Sequence, residues 1–339
     1  MSKMINIAVV GATGNVGRKV LEILKERSFP VRNAYALASR GSVGKKVSFG
    51  EDEVLPIETL ENFDFSKTDI VFSCVNSDVT ESYYKNAIKA GATIIDKSSL
   101  FRQDPEIPLI VPEVNSHILS ELPKSRIISS PNCCVIPLVT ALSPLDHAAK
   151  IKRIIVSTYQ SVSGAGKEYM DDLYNQTKSS FLFHEPIEGK FERKIAFNLI
   201  PKIDDFNANG DSLEEEKICQ ETVKILGRHL AISVTSVRVP VFIGHSLSVN
   251  IEFENHLSAT EAEEILSEAE GVVVLEQESN MQYITPVEVV GDDSVYVCRI
   301  RNDPSRNNCL NLWIVSDNLR KGAATNAVQI AESILKLIQ

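Results

Sequence analysis

The chain has 339 residues, of which 43% are hydrophobic and 24% are charged, and its formal net charge is -10. Its length predicts about two domains with apolar cores of their own. The acidic balance argues against nucleic acid or an anionic membrane as the main partner. If the protein acts on an anionic small molecule, it must therefore concentrate a few basic residues in the site.

The cysteine pattern bears on the compartment. The six cysteines form no Cys-x-x-Cys pair and no zinc-type spacing with histidine, which favours reduced thiols and no metal. The amino terminus runs directly into a short apolar strand, and no apolar run reaches the roughly 18 residues of a membrane span. We therefore expect a cytoplasmic protein without a signal peptide or a membrane span.

The first third of the chain alternates short apolar runs with helical patterns. This alternation predicts a parallel sheet with helices on both faces. The predicted strands are Ile5–Val10, 34–38, 70–75 and Thr93–Asp96, and the predicted helices are 15–27 and 78–90.

The second half has a different pattern. Leu247, Val249 and Ile251 alternate with polar residues, which is typical of a strand with one face in water. Similar runs at 295–300 and 310–315 predict a mixed, largely antiparallel sheet. Polar residues at 206–212 predict a loop between elements.

The chain ends in an amphipathic helix predicted over 319–337, with apolar residues at three- and four-residue spacing. The fold class is therefore α/β. We predict a Rossmann-type dinucleotide-binding domain over residues 1–132, completed by the terminal helix at 318–339. An α+β domain over 133–317 would supply substrate binding, catalysis and dimerisation.

A glycine-rich loop lies between the first predicted strand and the first predicted helix. Glycines here allow a tight turn and a close approach to a pyrophosphate, which then binds the amide groups at the helix amino terminus. The alternative is a glycine-rich turn without a ligand, but the strand-loop-helix context favours a dinucleotide. The candidate residues are Gly11, Thr13, Gly14, Asn15, Val16 and Gly17.

The end of the second strand indicates which dinucleotide binds. Folds that bind NAD usually place an acidic residue there, but residues 37–50 contain none. Ser39 and Arg40, with Lys45 and Lys46, suit a ribose 2′-phosphate instead. The pattern favours NADP over NAD, unless Arg40 merely covers surface.

Cys133 lies between an apolar strand and an apolar helix. A cysteine at such a turn meets the positive end of the helix, which favours the thiolate, and Asn132 can supply an amide beside it. By position alone, Cys133 can equally be a buried, inert cysteine. Cys134 lies one step further into the helix and is expected to pack.

Seven segments together resemble the aspartate-semialdehyde dehydrogenase family over essentially the whole chain. One departure is Cys134, where we expect a small polar residue. The segments are Gly11-Ala-Thr-Gly-Asn-Val-Gly17, Phe101-Arg-Gln-Asp-Pro105, Pro112-Glu-Val-Asn115, Pro131-Asn-Cys133, Tyr159-Gln-Ser-Val-Ser-Gly-Ala-Gly166, Val237-Arg-Val-Pro-Val241 with His245, and Ser316-Asp-Asn-Leu-Arg-Lys-Gly-Ala323.

The resemblance implies that Cys133 is the nucleophile and His245 the acid/base. Imidazole exchanges protons near neutral pH, and His245 is expected to follow a strand that ends at residues 241–244. Without the resemblance, a structural histidine is a real alternative. Gln160 is implied to orient the thioester, although an ordinary surface amide is the alternative.

The resemblance also implies the substrate-binding residues. Arg238 is the anchor for the substrate carboxylate, since a guanidinium matches a carboxylate in bidentate fashion. Arg102 and Lys217 bind phosphate, and Glu214 contacts the substrate amino group. Taken alone, Glu214-Glu-Glu-Lys217 is most simply a solvated charge run, and the register leaves Glu215 open as the contact. The resemblance further places Ser163, Gly164 and Asn318 beside the nicotinamide.

The implied reaction is reduction of 4-phospho-L-aspartate by NADPH to L-aspartate 4-semialdehyde and phosphate. This step belongs to lysine, threonine, methionine and diaminopimelate biosynthesis. The exposed face of the second sheet suggests a homodimer or a dimer of dimers, as in the family.

Three alternatives remain open. N-acetyl-glutamyl-phosphate reductase shares the glycine loop and a cysteine–histidine pair, although residues 131–134 and 237–245 fit it less well. Glyceraldehyde-3-phosphate dehydrogenase also works through a cysteine thioester, but its sequence around the cysteine differs. A catalytically silent NADP-binding protein would be free to lose Cys133, Gln160, Arg238 or His245, and all four are present.

Overall fold

The structure is a computed structural model that describes residues 4–182, 189–275 and 282–338. The chain forms two compact units, one of Met1–Asn132 with Ala323–Gln339 and one of Cys133–Gly322. Each unit is built on its own β-sheet. Among the described residues, no helix combines the length and the apolar character that a membrane span requires.

The first unit contains a seven-stranded sheet. Its strands are β1 (Ile5–Val10), β2 (Val31–Ala38), β3 (Lys46–Phe49), β4 (Glu53–Thr59), β5 (Ile70–Ser73), β6 (Thr93–Asp96) and β7 (Ile127–Ser129). They lie in the order β3-β4-β2-β1-β5-β6-β7, and every pair is parallel except β3 with β4. The parallel sheet predicted for the first third is confirmed. The β3–β4 hairpin was not predicted.

Helices cover both faces of this sheet. They are α1 (Asn15–Glu26), α2 (Ser77–Lys89), the short α3 (Pro112–Asn115) and the C-terminal helix (Asn326–Ile338). The apolar side of α1 and the C-terminal helix bury against one face, through residues such as Leu21 and Val328. Tyr83 and Ala87 of α2 bury against the other face. Burial of these apolar stripes is what holds the layers together.

The C-terminal helix begins later than the sequence suggested. A wide, π-helical turn occupies Arg320–Thr325, and regular α-helix starts at Asn326. The Asp317 carboxylate accepts the backbone N–H groups of Leu319 and Arg320, so the chain starts this segment as a capped turn.

The second unit contains a six-stranded mixed sheet. Its strands are β8 (Ile151–Gln160), β9 (Ala231–Arg238), β10 (His245–Phe253), β11 (Val272–Val274), β12 (Val295–Asn302) and β13 (Cys309–Ser316). They lie in the order β11-β12-β13-β10-β8-β9. The pairs β8–β9 and β11–β12 are parallel, and the other three pairs are antiparallel, as predicted for this half.

Helices cover one face of this sheet, and the other face is partly exposed among the described residues. The helices are α4 (Val135–Ala149), α5 (Lys167–Phe181), α6 (Leu213–Leu226) and α7 (Ala259–Ser267). Leu247, Val249 and Ile251 of β10 are buried on the face that α4 contacts. Ser248, on the opposite face, is exposed, and its neighbour Trp313 is half-buried.

One prediction about this sheet was wrong. Residues 241–244 form a turn rather than the end of a strand, so His245 begins β10 instead of following a strand. Pro240 lacks the N–H group that would extend the ladder, and Gly244 has a φ of +95°, which suits a turn. The loop predicted at 206–212 is present between elements.

Candidate active site

Four chain segments bring polar residues to one end of the second sheet. Gln160 is the last residue of β8 and is the register partner of Arg238, the last residue of β9. His245 is the first residue of the antiparallel β10, so it lies at the same end, opposite Ser316 of β13. The topology therefore gathers residues that are distant in sequence.

Cys133 lies beside His245. The Cys133 Sγ is 3.3 Å from Nε2 of His245, and the cysteine directly precedes Cys134, the N-cap of α4. His245 is fully buried, whereas Cys133 is half-buried. The arrangement provides a thiol within hydrogen-bond reach of an imidazole at a helix amino terminus, which is the geometry of an activated nucleophile.

Cys134 has a different environment. Its side chain is fully buried, and burial raises the pKa of this thiol well above its ordinary value, with the neighbouring Cys133 acting in the same direction. The Cys134 side chain is therefore a protonated packing group at neutral pH.

Arg238 and Glu214 are two buried residues of opposite charge near the cysteine. Both side chains are about 6% exposed. Burial lowers the pKa of the Arg238 guanidinium, and the charge of Glu214 opposes that effect. One Arg238 nitrogen donates to the Ser161 carbonyl at 2.8 Å, and Gln160 Nε2 donates to Glu214 at 3.1 Å. This pair can bind the carboxylate and the amino group of an amino acid.

The neighbouring residues of α6 have separate tasks. Glu215 forms a capping box with Ser212 and also accepts a hydrogen bond from the backbone N–H of Ser236. Its carboxylate therefore has a structural role. Glu214, in contrast, points towards Gln160. Lys217 forms an ion pair with Asp204 at 2.5 Å and is about one-third exposed.

Ser163, Gly164 and Asn318 form a tight cluster beside His245. Asn318 Nδ2 donates to Ser163 Oγ at 2.9 Å, and Asn318 Oδ1 accepts from Gly244 N–H at 2.8 Å. A Cβ atom at Gly164 would lie 3.3 Å from Nε2 of His245.

The glycine loop of the first unit has the geometry that a dinucleotide requires. Gly11 has a φ of +82°, and a Cβ atom there would lie 2.6 Å from the Cys74 carbonyl oxygen. A Cβ atom at Gly17 would lie 2.2 Å from the Gly11 oxygen, so only glycine fits. Gly14 caps α1, which places Asn15, Val16 and Gly17 in its first turn, and the Thr13 carbonyl accepts from Arg18. The loop therefore fits a pyrophosphate on the helix amino terminus.

Ser39 and Arg40 follow β2 directly, at the carboxyl end of that strand. The Arg40 side chain is 73% exposed and forms an ion pair with Glu61 at 2.5 Å. Lys46 is the first residue of β3, and Lys45 precedes it. Arg40 thus offers an exposed guanidinium at the strand end where a ribose would bind.

Arg102 and Asn132 are both buried in the first unit. Arg102 donates to the Lys97 carbonyl at 2.7 Å, and the Lys97 ammonium donates to Ser130 Oγ and the Pro131 carbonyl. Lys97 thereby connects the arginine to the segment that precedes the cysteine.

Three residues of these clusters were not predicted from the sequence. Ser161 bonds His245 and Asn318, Lys97 connects Arg102 to Pro131, and Asp204 pairs with Lys217. Ser161 lies within the segment 159–166 that carries part of the family resemblance, which was the available signal.

Comparison with known proteins places this architecture in a family. Residues 6–122 match the model "Semialdehyde dehydrogenase, NAD binding domain" and residues 142–321 match "Semialdehyde dehydrogenase, dimerisation domain". Aspartate-semialdehyde dehydrogenase from Rickettsia conorii is 56% identical over 335 residues, which cover 99% of each chain. The chain belongs to the aspartate-semialdehyde dehydrogenase family. The family resemblance of the sequence is thereby confirmed.

Solved structures of aspartate-semialdehyde dehydrogenases agree with this family assignment. Aspartate semialdehyde dehydrogenase II from Vibrio cholerae, complexed with ASA, matches with a TM-score of 0.96 and 40% identity over 99% of both chains. The enzyme from Candida albicans with NADP matches with a TM-score of 0.74 and 25% identity, again over 99% of both chains.

Proposed function

We propose that this protein reduces 4-phospho-L-aspartate with NADPH to L-aspartate 4-semialdehyde and phosphate through a thioester on Cys133. The observation that carries the proposal is the 3.3 Å contact between Cys133 Sγ and His245 Nε2, in the unit that also buries Arg238 and Glu214. A nucleophile beside an acid/base and an amino-acid anchor suits acyl transfer on a small amino acid.

The chemistry follows from these groups. The Cys133 thiolate attacks the acyl carbon, and phosphate leaves with the pair of electrons of the broken C–O bond. Bound NADPH supplies the hydride that reduces the thioester carbon. His245 donates a proton to the oxygen of the resulting hemithioacetal and takes it back as the aldehyde departs and the thiolate re-forms. Gln160 orients the thioester.

Each charged group of the substrate is assigned to its own residues. Arg238 holds the α-carboxylate and Glu214, rather than Glu215, holds the amino group, because Glu215 is committed to the capping box. Arg102, Asn132 and Lys217 bind the phosphate. Lys217 would then exchange its ion pair with Asp204 for the phosphate.

The cofactor is assigned to the first unit, Met1–Asn132 with Ala323–Gln339. Its pyrophosphate binds the loop of Gly11, Thr13, Gly14, Asn15, Val16 and Gly17. Ser39 and Arg40 bind the 2′-phosphate, which favours NADP over NAD. Ser163, Gly164 and Asn318, from the loops of the second unit, contact the nicotinamide.

The second unit, Cys133–Gly322, carries Cys133, His245 and Arg238 and is proposed to carry a dimer interface. The open face of its sheet has half-buried apolar residues such as Ile155, Tyr159 and Trp313, which supports a homodimer or a dimer of dimers. The proposed setting is cytoplasmic amino-acid biosynthesis towards lysine, threonine, methionine and diaminopimelate.

The test follows NADPH formation from L-aspartate 4-semialdehyde with and without phosphate. Wild type should reduce NADP only with phosphate, and Cys133→Ala should lose at least about a thousandfold in rate while still binding NADP. The neighbouring Cys134→Ala is the matched control and should keep turnover. Turnover by Cys133→Ala, or preference for the N-acetyl-glutamyl substrate, would overturn the proposal.

A further inference from the structure

Gly322 lies directly against Cys133. A Cβ atom at Gly322 would be 3.1 Å from the Cys133 carbonyl oxygen and 3.3 Å from the Cys133 Cβ atom. Carbon atoms in van der Waals contact are normally about 3.5–4.0 Å apart, so the cysteine would have to move by a few tenths of an ångström. The bare Cα of Gly322 therefore fits where any side chain would displace Cys133.

This contact, and not the backbone conformation, is what requires glycine at position 322. The φ angle of Gly322 lies outside the left-handed region that favours glycine. Gly322 also belongs to the wide, π-helical turn Arg320–Thr325, and alanine has the higher intrinsic propensity for helical structure. The close approach to Cys133 is thus the feature that excludes a side chain.

The wide turn brings Gly322 to this place. The Gly322 N–H donates to the Asp317 carbonyl at 3.0 Å, a hydrogen bond that spans five residues instead of the four of an α-helix. Such π-helical turns are frequent at functional sites. With this wider spacing, the chain presents the Cα of Gly322 to Cys133.

Two carboxylates anchor the wide turn. Asp317 Oδ1 accepts the backbone N–H groups of Leu319 and Arg320. The other oxygen of this carboxylate accepts the backbone N–H of Gly291 at 2.9 Å. The Arg320 side chain is about 7% exposed and donates to Asp293 at 2.8 Å. Because these contacts hold the turn in place, an atom added to the glycine displaces the cysteine.

We infer that Gly322 is a positioning residue that sets the distance between the Cys133 thiol and the imidazole of His245. The Cys133 Sγ is 3.3 Å from His245 Nε2, and it is attached to the Cβ atom that Gly322 faces. A shift of this Cβ atom therefore changes the contact between sulfur and nitrogen. The effect on turnover rests on the proposed function, whereas the effect on thiol reactivity does not.

The direct test is the alkylation of Cys133 by iodoacetamide in Gly322→Ala, measured by peptide mapping over a range of pH. We expect the rate at pH 7 to fall about tenfold, because a displaced thiol loses contacts that favour the thiolate. The two rates should converge at about pH 10, where the thiol is ionised in both proteins. An unchanged rate at pH 7 would overturn the inference. Faster labelling of both Cys133 and Cys134, the sign of local unfolding, would overturn it too.

Turnover provides a second readout. In Gly322→Ala, kcat for L-aspartate 4-semialdehyde should fall about tenfold, because a small displacement of reacting groups is costly. KM should stay within about twofold of wild type, since the proposed partners Arg238 and Glu214 are unchanged. A raised KM with an unchanged kcat would overturn the positioning role. Slower alkylation of Cys133 in a protein that does not use the semialdehyde would contradict the proposed function alone.

The matched control is Gly189→Ala in the same unit. Its added methyl group is also crowded, since a Cβ atom there would lie 2.6 Å from a carboxylate oxygen of Asp172. Alkylation of Cys133 and kcat should both match wild type. A loss that Gly189→Ala reproduces would overturn the inference, because any crowded methyl group would then have the same effect.

A second variant decides the inference if Gly322→Ala does not fold. Asp293→Asn weakens the ion pair that holds Arg320, so the wide turn can shift without any atom added beside Cys133. We expect alkylation of Cys133 at pH 7 to fall about threefold in this variant. An unchanged rate would show that the turn does not set the position of the thiol.

Discussion

Gly164 lies so close to Arg238 that a Cβ atom in its place would be 3.3 Å from a guanidinium nitrogen. The same atom would be 3.3 Å from Nε2 of His245, so a methyl group would crowd both partners of the proposed substrate. We expect Gly164→Ala to lower kcat/KM for the semialdehyde about tenfold to a hundredfold, because a small displacement of reacting groups is costly. Gly41→Ala, where an added Cβ meets nothing within 4 Å, is the steric control. Equal steady-state constants for both variants would contradict the expectation.

The thiols should differ sharply in reactivity. Burial raises the pKa of Cys74 to about 12 and that of Cys219 to about 11. It also raises the pKa of Cys134, Cys298 and Cys309. These five thiols are therefore protonated at neutral pH, and the thiolate is the form that reacts.

We accordingly expect iodoacetamide at pH 7 to alkylate Cys133 first, with loss of activity in proportion to that single modification. Peptide mapping by mass spectrometry measures the order of labelling. NADP and phosphate together should slow the reaction. Cys219 is a half-buried thiol on α6. If it is labelled before Cys133, exposure rather than thiolate formation determines the order of labelling.

Arg40 and Glu61 offer a paired test of cofactor choice. Arg40→Ala removes the proposed partner of the 2′-phosphate and should weaken NADP binding about tenfold while NAD binding is unchanged. Glu61→Gln removes the competing ion pair and should strengthen NADP binding by a smaller factor, because exposed pairs are weak. Fluorescence titration with both dinucleotides measures each effect. Equal losses for NAD and NADP in Arg40→Ala would exclude Arg40 from 2′-phosphate recognition.

Stability should depend on pH through Asp146. Burial alone would raise the pKa of this carboxyl, but the hydrogen bond and charge of Arg228 outweigh it and hold the pKa below its ordinary value. A depressed folded-state pKa stabilises the protein above the unfolded-state value near 3.8, and this contribution disappears as the pH falls through the folded-state pKa.

We therefore expect Asp146→Asn to lower the free energy of unfolding by about 1–3 kcal/mol at pH 7. Urea denaturation at pH 7 and at pH 3 measures the difference, which should shrink at the lower pH. The reference is Asp171→Asn, which removes an exposed i,i+4 ion pair and should change stability by about 0.5 kcal/mol or less. A deficit for Asp146→Asn that is equal at both pH values would contradict the assignment.

Much of the fold was predictable because its signals are local. The strand Ile5–Val10 and the glycines after it define the first strand-loop-helix unit within about a dozen residues. The β3–β4 hairpin was not predicted, because its strands are short. In addition, Lys46 at the start of β3 was interpreted as a residue suited to a phosphate. The turn at 241–244 was misassigned because its apolar residues continue the pattern of β9.

The site was less accessible to sequence reasoning, since its contacts are tertiary. Nothing in the run Glu214-Glu-Glu-Lys217 distinguishes a capping glutamate from a site glutamate, and only the contacts of Ser212 and Gln160 separate them. The partner of Lys217, Asp204, lies in an irregular segment without a periodic pattern. The family resemblance named most candidates, but it could not show that Ser161 joins two of them.

The contacts around His245 also bear on how the chain is made. Cys133 and His245 are 112 positions apart, and Ser161 and Asn318 are 157 positions apart. Contacts of such long range form late, after the loops between them have closed. A chain still emerging from the ribosome cannot complete this cluster before Asn318 has been synthesised. Until then Cys133 lacks its contact with His245, and we expect catalytic competence to emerge only near the end of folding.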